Sequence, residues 1–425
     1  FRHALSCAFC ARHEGAEQSK KSFFLKEGIR LKNVSRRPKT ILTLEGNVTF
    51  YRTVYTPADA ESRELLKKKF GKSTVVPLDM ALGIDQLPFK MTVKMMIDIA
   101  RRAINAHSYE ELQQIYLHDW GIVISDDQIR YVVNELGRIV FNHDTAVRTA
   151  AMSHFDDGAA FSLPVDRRKG VLYIEMDGAM FNTRHATDGS TWRENKLGAV
   201  FSNLDIVYRK TKTGREAHRI TEREFISYAG DADTFKEHLY AVALKHGLEH
   251  AKKVVIISDG AKWIKGFREK FCANLDVVHI LDYSHVKENI YKFANVFIRG
   301  AKQKTAWAEE LARLVKEGKI DEAIAKAEPY KDKRRAGIPN IYSYLSNNRD
   351  CINYPSYVAA GYFIGSGVIE SGNRSVMQER LKLPGMRWSV ESAQFVLTLK
   401  CKYDSNLWES VVVPLIYKTY GLKSQ

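Results

Sequence analysis

Two aspartates in this chain each follow an apolar run that has the composition of a buried strand. Asp177 comes after residues 171–176 and Asp259 comes after residues 254–258, and a glycine follows each aspartate directly. A short apolar run that ends in a glycine-containing turn is typical of a buried strand. Asp-Gly is a common turn pair, so either aspartate alone fits a turn. A buried carboxylate is costly unless it is paired or bound to a metal, so the other interpretation is a metal ligand.

The recurrence of this pattern favours the metal-ligand interpretation. In open α/β sheets, sites lie at the carboxyl ends of the strands, where two such aspartates would meet. Neighbouring carboxylates repel each other, and a divalent cation relieves that repulsion. Hard oxygen ligands suit Mg²⁺ or Mn²⁺. Asp177, Asp259 and one further carboxylate would provide what a two-metal phosphoryl-transfer site needs.

The segments around the two aspartates predict a mixed sheet. We predict strands at residues 171–177, 194–202, 204–210, 222–229, 254–258 and 277–281. We predict helices in the same region at residues 231–247, 261–271 and 283–298. Several strands followed by alternating helices and strands give a mixed sheet that is covered on both faces.

Two helical stretches follow this predicted sheet. Residues 300–350 form a charged helical stretch, broken by Gly318 and Pro329, that has the character of an insertion. Helical periodicity then returns from Ser366 to Leu383, with Glu370 in the first turns. A lone glutamate near a helix start is ordinarily a capping or dipole residue.

The amino-terminal half is predicted to contain a hairpin and several helices. Alternating residues at 41–55 predict a β-hairpin after a basic linker at 35–40. Capping boxes begin at Ser108 and Ser125, and Gly121 lies between them. Helices are predicted at residues 61–72, 92–106, 109–118 and 126–140. A polar linker is predicted at residues 153–170.

The last two of these helices fit either a helix-turn-helix or an ordinary helical hairpin. In a helix-turn-helix, the second helix contacts bases or phosphates in the major groove. Gln128, Arg130 and Tyr131 would then be the contacting residues.

The composition favours a polyanionic partner. The chain has 425 residues with 65 Lys and Arg against 50 Asp and Glu, a formal net charge of +15. Such a surplus points first to nucleic acid, and the alternative is a generally basic protein. No run reaches the roughly 18 consecutive apolar residues that a membrane helix needs, so no membrane partner is expected.

The cysteines and basic clusters leave further alternatives open. Five scattered cysteines argue for a reducing compartment. Cys7 and Cys10 form half of a zinc-binding element, or are two free thiols. Basic residues at 331–335 form a solvated helix face or a phosphate contact. A carboxy-terminal cluster combines cations and an aromatic ring suited to phosphate contact and base stacking, namely Arg380, Lys382, Arg387 and Trp388.

The order of these motifs resembles that of the DDE transposases of bacterial insertion sequences, in their mutator-like branch. The motifs are MDG at 176–178, SDGAKWIKGF at 258–267, LDYSHVKENI at 281–290, GSGVIESGN at 365–373 and RLKLPGMRWS at 380–389. The resemblance implies an α/β fold with an RNase H-like mixed sheet flanked by helices, an all-helical insertion and an amino-terminal helical DNA-binding region. It also implies that Asp177, Asp259 and Glu370 are the catalytic acids that hold two Mg²⁺ or Mn²⁺ ions.

The resemblance assigns roles to further residues. Asp282 and His285 match an Asp-x-x-His element that lies near the site without being a primary ligand. His285 would shuttle a proton or contact a phosphate, or it is a core histidine satisfied by Asp282. Arg374, Arg380 and Arg387 lie where such enzymes meet transposon-end DNA.

The resemblance also implies a domain organisation. The expected regions are an amino-terminal region at 1–60, a helical DNA-binding domain at 61–152, a catalytic core at 166–299, a helical insertion at 300–355, the Glu-bearing part of the core at 356–408 and a tail at 409–425.

The expected function is metal-dependent DNA strand cleavage and strand transfer at insertion-sequence ends. The partners would be transposon ends and target DNA, with a homodimer or larger assembly because two ends must be brought together. The expected location is the cytoplasm, in association with the nucleoid. Two alternatives stay open: a domesticated or inactive DNA-binding derivative, and a non-mobile RNase H-like nuclease.

Overall fold

A computed structural model describes residues 20–187, 189–210 and 216–422. The chain forms two compact units. The described residues up to Val140 and those from Leu407 onward form the first unit, and Phe141–Asn406 forms the second. Cys7 and Cys10, and with them the predicted zinc site, lie outside the described residues.

The first unit contains a long antiparallel hairpin. Its strands are β1 (Leu31–Thr43) and β2 (Gly46–Pro57), which a two-residue turn connects. Gly46 has φ +98°, a conformation that favours glycine. The predicted hairpin is confirmed, but the predicted linker at 35–40 is wrong. Those residues belong to β1, because a two-stranded ribbon exposes one face on which charged side chains remain in water.

The helices of the first unit confirm both predicted capping boxes. Ser108 Oγ accepts from Glu111 N at 2.9 Å, and Ser125 Oγ accepts from Gln128 N at 3.1 Å. Gly121, with φ +62°, ends the helix that the first capping box begins. The helices are α1 (Ala60–Phe70), α2 (Pro77–Ala81), α3 (Val93–Ala103), α4 (Tyr109–Trp120) and α5 (Asp126–Asp157), whose last part belongs to the second unit.

The helix α5 is longer than predicted. It continues beyond residue 140 to Asp157, so the predicted linker at 153–170 is wrong over its first residues. The continuation is stabilised by packing, because Ala151 is fully buried in the core of the second unit and Val147 packs against the same cluster.

The second unit is built on a five-stranded mixed sheet with the order β7-β4-β3-β8-β9. The pairs β3–β4 and β4–β7 are antiparallel, whereas β3–β8 and β8–β9 are parallel. This is the strand arrangement of an RNase H-like sheet, so the predicted fold class is confirmed. The strands are β3 (Val171–Thr187), β4 (Ser190–Ser202), β7 (Glu224–Tyr228), β8 (Lys253–Ser258) and β9 (Val277–Leu281).

A separate small hairpin lies between β4 and β7 in the chain. It consists of β5 (Ile206–Lys210) and β6 (Glu216–Ile220). The strand β5 was predicted and β6 was not, because the short sequence of β6 contains more polar than apolar residues.

Helices cover both faces of the sheet and form the insertion. The α-helices of the second unit are α6 (Ala232–Lys245), α7 (Lys262–Phe271), α8 (Tyr283–Phe297), α9 (Ala301–Lys316), α10 (Ile320–Ala327), α11 (Ile341–Asn347), α12 (Tyr354–Ala359), α13 (Gly367–Gly372), α14 (Glu379–Leu381) and α15 (Val390–Asp404). The helix α16 (Val413–Thr419) belongs to the first unit, and π-helical turns occur at Asn373–Gln378 and Trp408–Val412.

Strand alternation decides which face of the sheet carries the acidic residues. Leu172, Ile174 and Met176 point to the core formed with α6 and α7. Tyr173 points to the opposite core, which α8 and the inserted helices cover. Because side chains alternate along a strand, Glu175 and Asp177 lie on the same face as Tyr173.

Candidate metal centre

The two predicted strand-end aspartates lie side by side at one edge of the parallel part of the sheet. Met176 of β3 pairs with Ser258, the last residue of β8. Asp177 and Asp259 are therefore the next residues along two paired strands, and the backbones of paired strands lie about 4.8 Å apart. Asp259 makes a turn, because its Oδ1 accepts from Ala261 N at 2.8 Å.

The turn interpretation of Asp177 is wrong. The strand β3 continues through Asp177 and Gly178 to Thr187 and remains paired with β4 beyond the end of β8. Gly178 lies within the strand and pairs with Lys196 of β4. Asp177 thus stands where the parallel partner stops, and its carboxylate is half-buried at the edge that β8 leaves open.

The carboxylate of Asp177 is held in place at an electrostatic cost. Burial raises its pKa, and the charge of Asp259 adds to that rise. Hydrogen bonds oppose it: Oδ1 accepts from Gly178 N at 2.8 Å, and Oδ2 accepts from Asn373 Nδ2 at 2.5 Å. The nearby His285 opposes it as well. A divalent cation would relieve the repulsion between the two aspartates.

Glu370 lies beside the Asp-x-x-His element. One donor atom from each of Asp282, His285 and Glu370 lies within 4.8 Å of the other two. Asp282 is fully buried: its Oδ1 accepts from Ser284 N at 2.7 Å, and its Oδ2 accepts from the hydroxyl and the backbone N–H of Ser366. Asp282 therefore joins the start of α8 to the start of α13, the helix that carries Glu370.

The structure places the three predicted acids around one region without bringing all their oxygens together. In the described part of the chain, the set of three donors within 4.8 Å contains Glu370 but neither Asp177 nor Asp259. Asn373, one turn after Glu370, makes the link to Asp177. The sequence interpretation gave Asp282 no ligand role, yet its carboxylate belongs to this set.

Glu175 is a site residue that the sequence interpretation missed. Its side chain is buried, with the residue 1% exposed, and its Oε2 accepts from Ile369 N of α13 at 2.8 Å. Burial raises its pKa to about 8, with a further contribution from Asp282. The signal in the sequence was a lone acid inside an otherwise apolar strand, where a carboxylate needs a specific partner.

The buried Glu175 should make stability depend on pH when no divalent cation is present. Its folded pKa of about 8 exceeds the ordinary value of 4.5, so between these values the folded state holds the extra proton. Stability should therefore fall as pH rises from about 4.5 to 8, by on the order of 1–4 kcal/mol. Urea unfolding in EDTA should show that loss in the wild type and a flatter profile in Glu175→Gln. If stability depends on pH equally in the wild type and in Glu175→Gln, the raised pKa of Glu175 is contradicted.

Gly372 allows α13 to approach the sheet. A Cβ at this position would lie 2.5 Å from Cε1 of Phe225, a buried ring on β7. We expect Gly372→Ala to destabilise the protein by about 1–3 kcal/mol, the usual cost of overpacking a core. The matched control is Gly367→Ala in the same helix, where a Cβ would meet nothing within 4 Å. Equal unfolding midpoints for the two variants would rule out this packing role.

The predicted DNA contacts in the carboxy-terminal cluster differ in exposure. Arg374, Lys382 and Arg387 are exposed. Arg380 is only 2% exposed and its guanidinium lies over the ring of Trp388 at 4.9 Å. The contact of Arg380 with DNA stays a prediction. Trp388 is half-buried with one face covered in this way, and its backbone extends the edge of β3 through bonds to Asn182 and Arg184.

Two of the residues on α5 that were predicted to contact DNA make contacts within the helix. Gln128 Oε1 accepts from Ser125 N at 3.0 Å, so its side chain caps the helix. Arg130 pairs with Asp127 at 2.5 Å and lies over the ring of Tyr131 at 4.9 Å. Tyr131 is 54% exposed. The order of helix, glycine turn and helix is present, and its DNA-binding role stays a prediction.

The fold and this acidic edge define an RNase H-like α/β protein with a candidate metal centre. The chain belongs to UPF0236, an uncharacterised protein family whose model matches residues 24–411. No curated protein matches the chain. Among the described residues, none of the helices combines the length and apolar character needed to span a bilayer.

Proposed function

We propose that this chain is a DDE-type transposase that cleaves and transfers DNA strands at the ends of an insertion sequence. One observation carries the proposal: Asp177 and Asp259 lie side by side at the edge of the central parallel strands of an RNase H-like sheet, on the side where Asn373 links Asp177 to the Glu370 helix. Acids gathered in this way suit a phosphoryl-transfer centre.

The chemistry of the donors suits a pair of Mg²⁺ or Mn²⁺ ions. All three acids offer hard oxygens, and the raised pKa of Asp177 reflects burial and repulsion from Asp259 that a cation would offset. Asp177, Asp259 and Glu370 would hold the ions. When bound, these ions would supply activation of a water or a 3′-hydroxyl and charge stabilisation at the leaving oxygen.

The neighbouring residues would hold the acids in position, and one of them would exchange a proton. The amide of Asn373 holds the Asp177 carboxylate, and the buried Asp282 fixes the start of α13 through Ser366. His285 Nε2 lies 3.9 Å from Asp282 Oδ2, and its Nδ1 lies 3.9 Å from Glu288 Oε2. His285 would hold a proton at one ring nitrogen or contact a substrate phosphate. The reaction joins two DNA ends, so we expect two or more copies to act together, in the cytoplasm at the nucleoid.

The test uses the purified full chain and DNA that carries the sequences flanking its coding region. Mg²⁺ or Mn²⁺ should produce cuts that leave 3′-hydroxyls at the element ends, and EDTA should prevent them. Cutting that ignores the end sequence and prefers hybrid or branched DNA would indicate the non-mobile nuclease instead. Binding of the ends without cutting in either metal would indicate an inactive derivative.

A further inference from the structure

The acidic region opens into a cleft that has a basic wall. The cleft has a volume of about 890 Å³, and both Glu175 and Glu370 line it. Cationic side chains from the hairpin β5–β6 and the segment just after it also line the cleft. We refer to them as the hairpin arginines: Arg209, Arg219 and Arg223.

Stacked aromatic rings fix the hairpin against the site. His218 of β6 stacks on Phe363, with ring centroids 4.8 Å apart and planes at 26°. Phe363 in turn lies 5.3 Å from the ring of Tyr173, which shares a face of β3 with Glu175 and Asp177. The basic wall is therefore part of the same packed structure as the acidic residues.

The hairpin arginines are not neutralised by acids of the described structure. Among the described side chains, no carboxylate oxygen lies within 4 Å of them, although ion pairs are common elsewhere in this unit. Arg209 and Arg219 are exposed, and Arg223 donates to Ile220 O at 3.4 Å. A guanidinium offers a planar set of donors that matches phosphate oxygens, so such a wall suits a polyanion.

From this arrangement we infer that the hairpin arginines bind the phosphates of a DNA strand that passes through the cleft beside Glu370. The nature of the substrate rests on the proposed function, whereas the basic wall does not. The cleft separates the cationic wall from the acids, so a strand between them would present phosphates to both sides. The wall would hold the strand, and the acids would act on one of its phosphates.

The test measures salt-dependent binding of a fluorescent single-stranded oligonucleotide in EDTA, where no cutting occurs. The variant is Arg209→Gln/Arg219→Gln/Arg223→Gln. Each phosphate contact in single-stranded DNA contributes about 0.7 to the slope of log affinity against log salt, so losing three should reduce the slope by roughly 2. We expect affinity to fall at least tenfold at low salt. Replacing the same three residues with lysine should restore most of the slope, because the charge returns.

A matched control removes three cationic side chains at the other end of the central strands, away from the cleft. Arg167, Lys169 and Lys252 are exposed and precede the amino ends of β3 and β8. The variant Arg167→Gln/Lys169→Gln/Lys252→Gln should bind with the wild-type slope. The inference would be overturned if the two triple variants lost equal amounts of the salt slope. An unchanged slope in the hairpin variant would overturn it as well.

The same variants separate this inference from the proposed transposase activity. If no metal supports cutting but the hairpin variant alone loses its salt slope, the transposase proposal fails and the inference stands. If the wild type cuts element ends and the hairpin variant binds and cuts equally well, the inference fails and the transposase proposal stands. A hairpin variant that loses binding, has a lowered melting temperature and is not rescued by lysine would assign the loss to misfolding and overturn the inference.

Discussion

Asp177→Asn should abolish metal-dependent strand cleavage and leave DNA binding intact. The substitution keeps the shape of the side chain and removes the negative charge that a cation needs. We expect cleavage to fall by roughly a thousandfold or more, the scale of loss when one member of a cooperating catalytic group is removed. The measurement is the rate of end cleavage in Mg²⁺, together with DNA affinity in EDTA.

Stability measurements distinguish loss of a ligand from loss of the fold. Because burial disfavours the charged form of Asp177, the asparagine variant should melt no lower than the wild type in EDTA. Added Mg²⁺ should raise the melting temperature of the wild type, since a ligand that binds only the folded state stabilises it. The variant should lose that rise. A melting temperature several degrees lower in EDTA would mean that Asp177 is needed for folding.

Parallel substitutions test which carboxylates belong to the centre. Asp259→Asn and Glu370→Gln should behave as Asp177→Asn does. The control is Asp276→Asn, an exposed aspartate just before β9, which should cut normally. If Asp282→Asn abolishes cutting while Asp259→Asn does not, the metal is held by the set of Asp282, His285 and Glu370, and the assignment of Asp259 is wrong.

The sequence predicted the elements that carry the site because each has a local signal. The strands that end before Asp259 and at Leu281 are apolar runs with clear ends, and their bounds agree with the prediction. The capping boxes at Ser108 and Ser125 are equally local, since the side chain and its backbone partner lie three residues apart.

The parts that could not be predicted depend on residues far away in the chain. Gly178 was interpreted as part of a turn, but it lies within β3 and pairs with Lys196 of β4, and a single sequence does not show that pairing. Arg380 was predicted to contact DNA from its basic-aromatic neighbourhood and from the resemblance, and a single sequence does not show that its side chain is buried against Trp388. The helix predicted from 366 to 383 contains a π-helical turn at Asn373–Gln378, beside the bond from Asn373 to Asp177.

The core of the second unit contains a buried ionic group that should give the largest effect on stability. Lys402 is 3% exposed, and its Nζ lies 2.9 Å from Asp144 Oδ1 and 3.3 Å from Glu224 Oε1. Glu224 also accepts from Lys245 Nζ at 2.7 Å. Burial alone would raise the pKa of Glu224, but the charges of Lys402 and Lys245 outweigh it and hold that pKa well below its usual value.

Lys402→Met should therefore destabilise the protein by about 3–5 kcal/mol, because it leaves the buried Asp144 without its lysine partner and Glu224 with one lysine partner instead of two. Methionine fills most of the lysine volume, so the loss is one of charge and not of packing. Lys402→Met/Asp144→Asn should recover part of the stability, since it removes one of the uncompensated charges. Chemical unfolding at pH 7 measures both variants. A single variant within 1 kcal/mol of the wild type would contradict a structural role for this group.

The pH dependence of stability tests whether buried charge causes the destabilisation of Lys402→Met. The folded pKa of Glu224 lies below its ordinary value of 4.5, so its contribution is complete above about pH 4.5 and is lost as pH falls through the folded value. The wild type should therefore lose stability on acidification in that range. In Lys402→Met, Asp144 lacks its lysine partner and Glu224 keeps only Lys245. Protonation of these carboxylates should remove the cost of burying their charge, so the difference in stability from the wild type should shrink as pH falls. A difference that stays constant from pH 7 to pH 3 would show that lost packing, and not buried charge, causes the destabilisation.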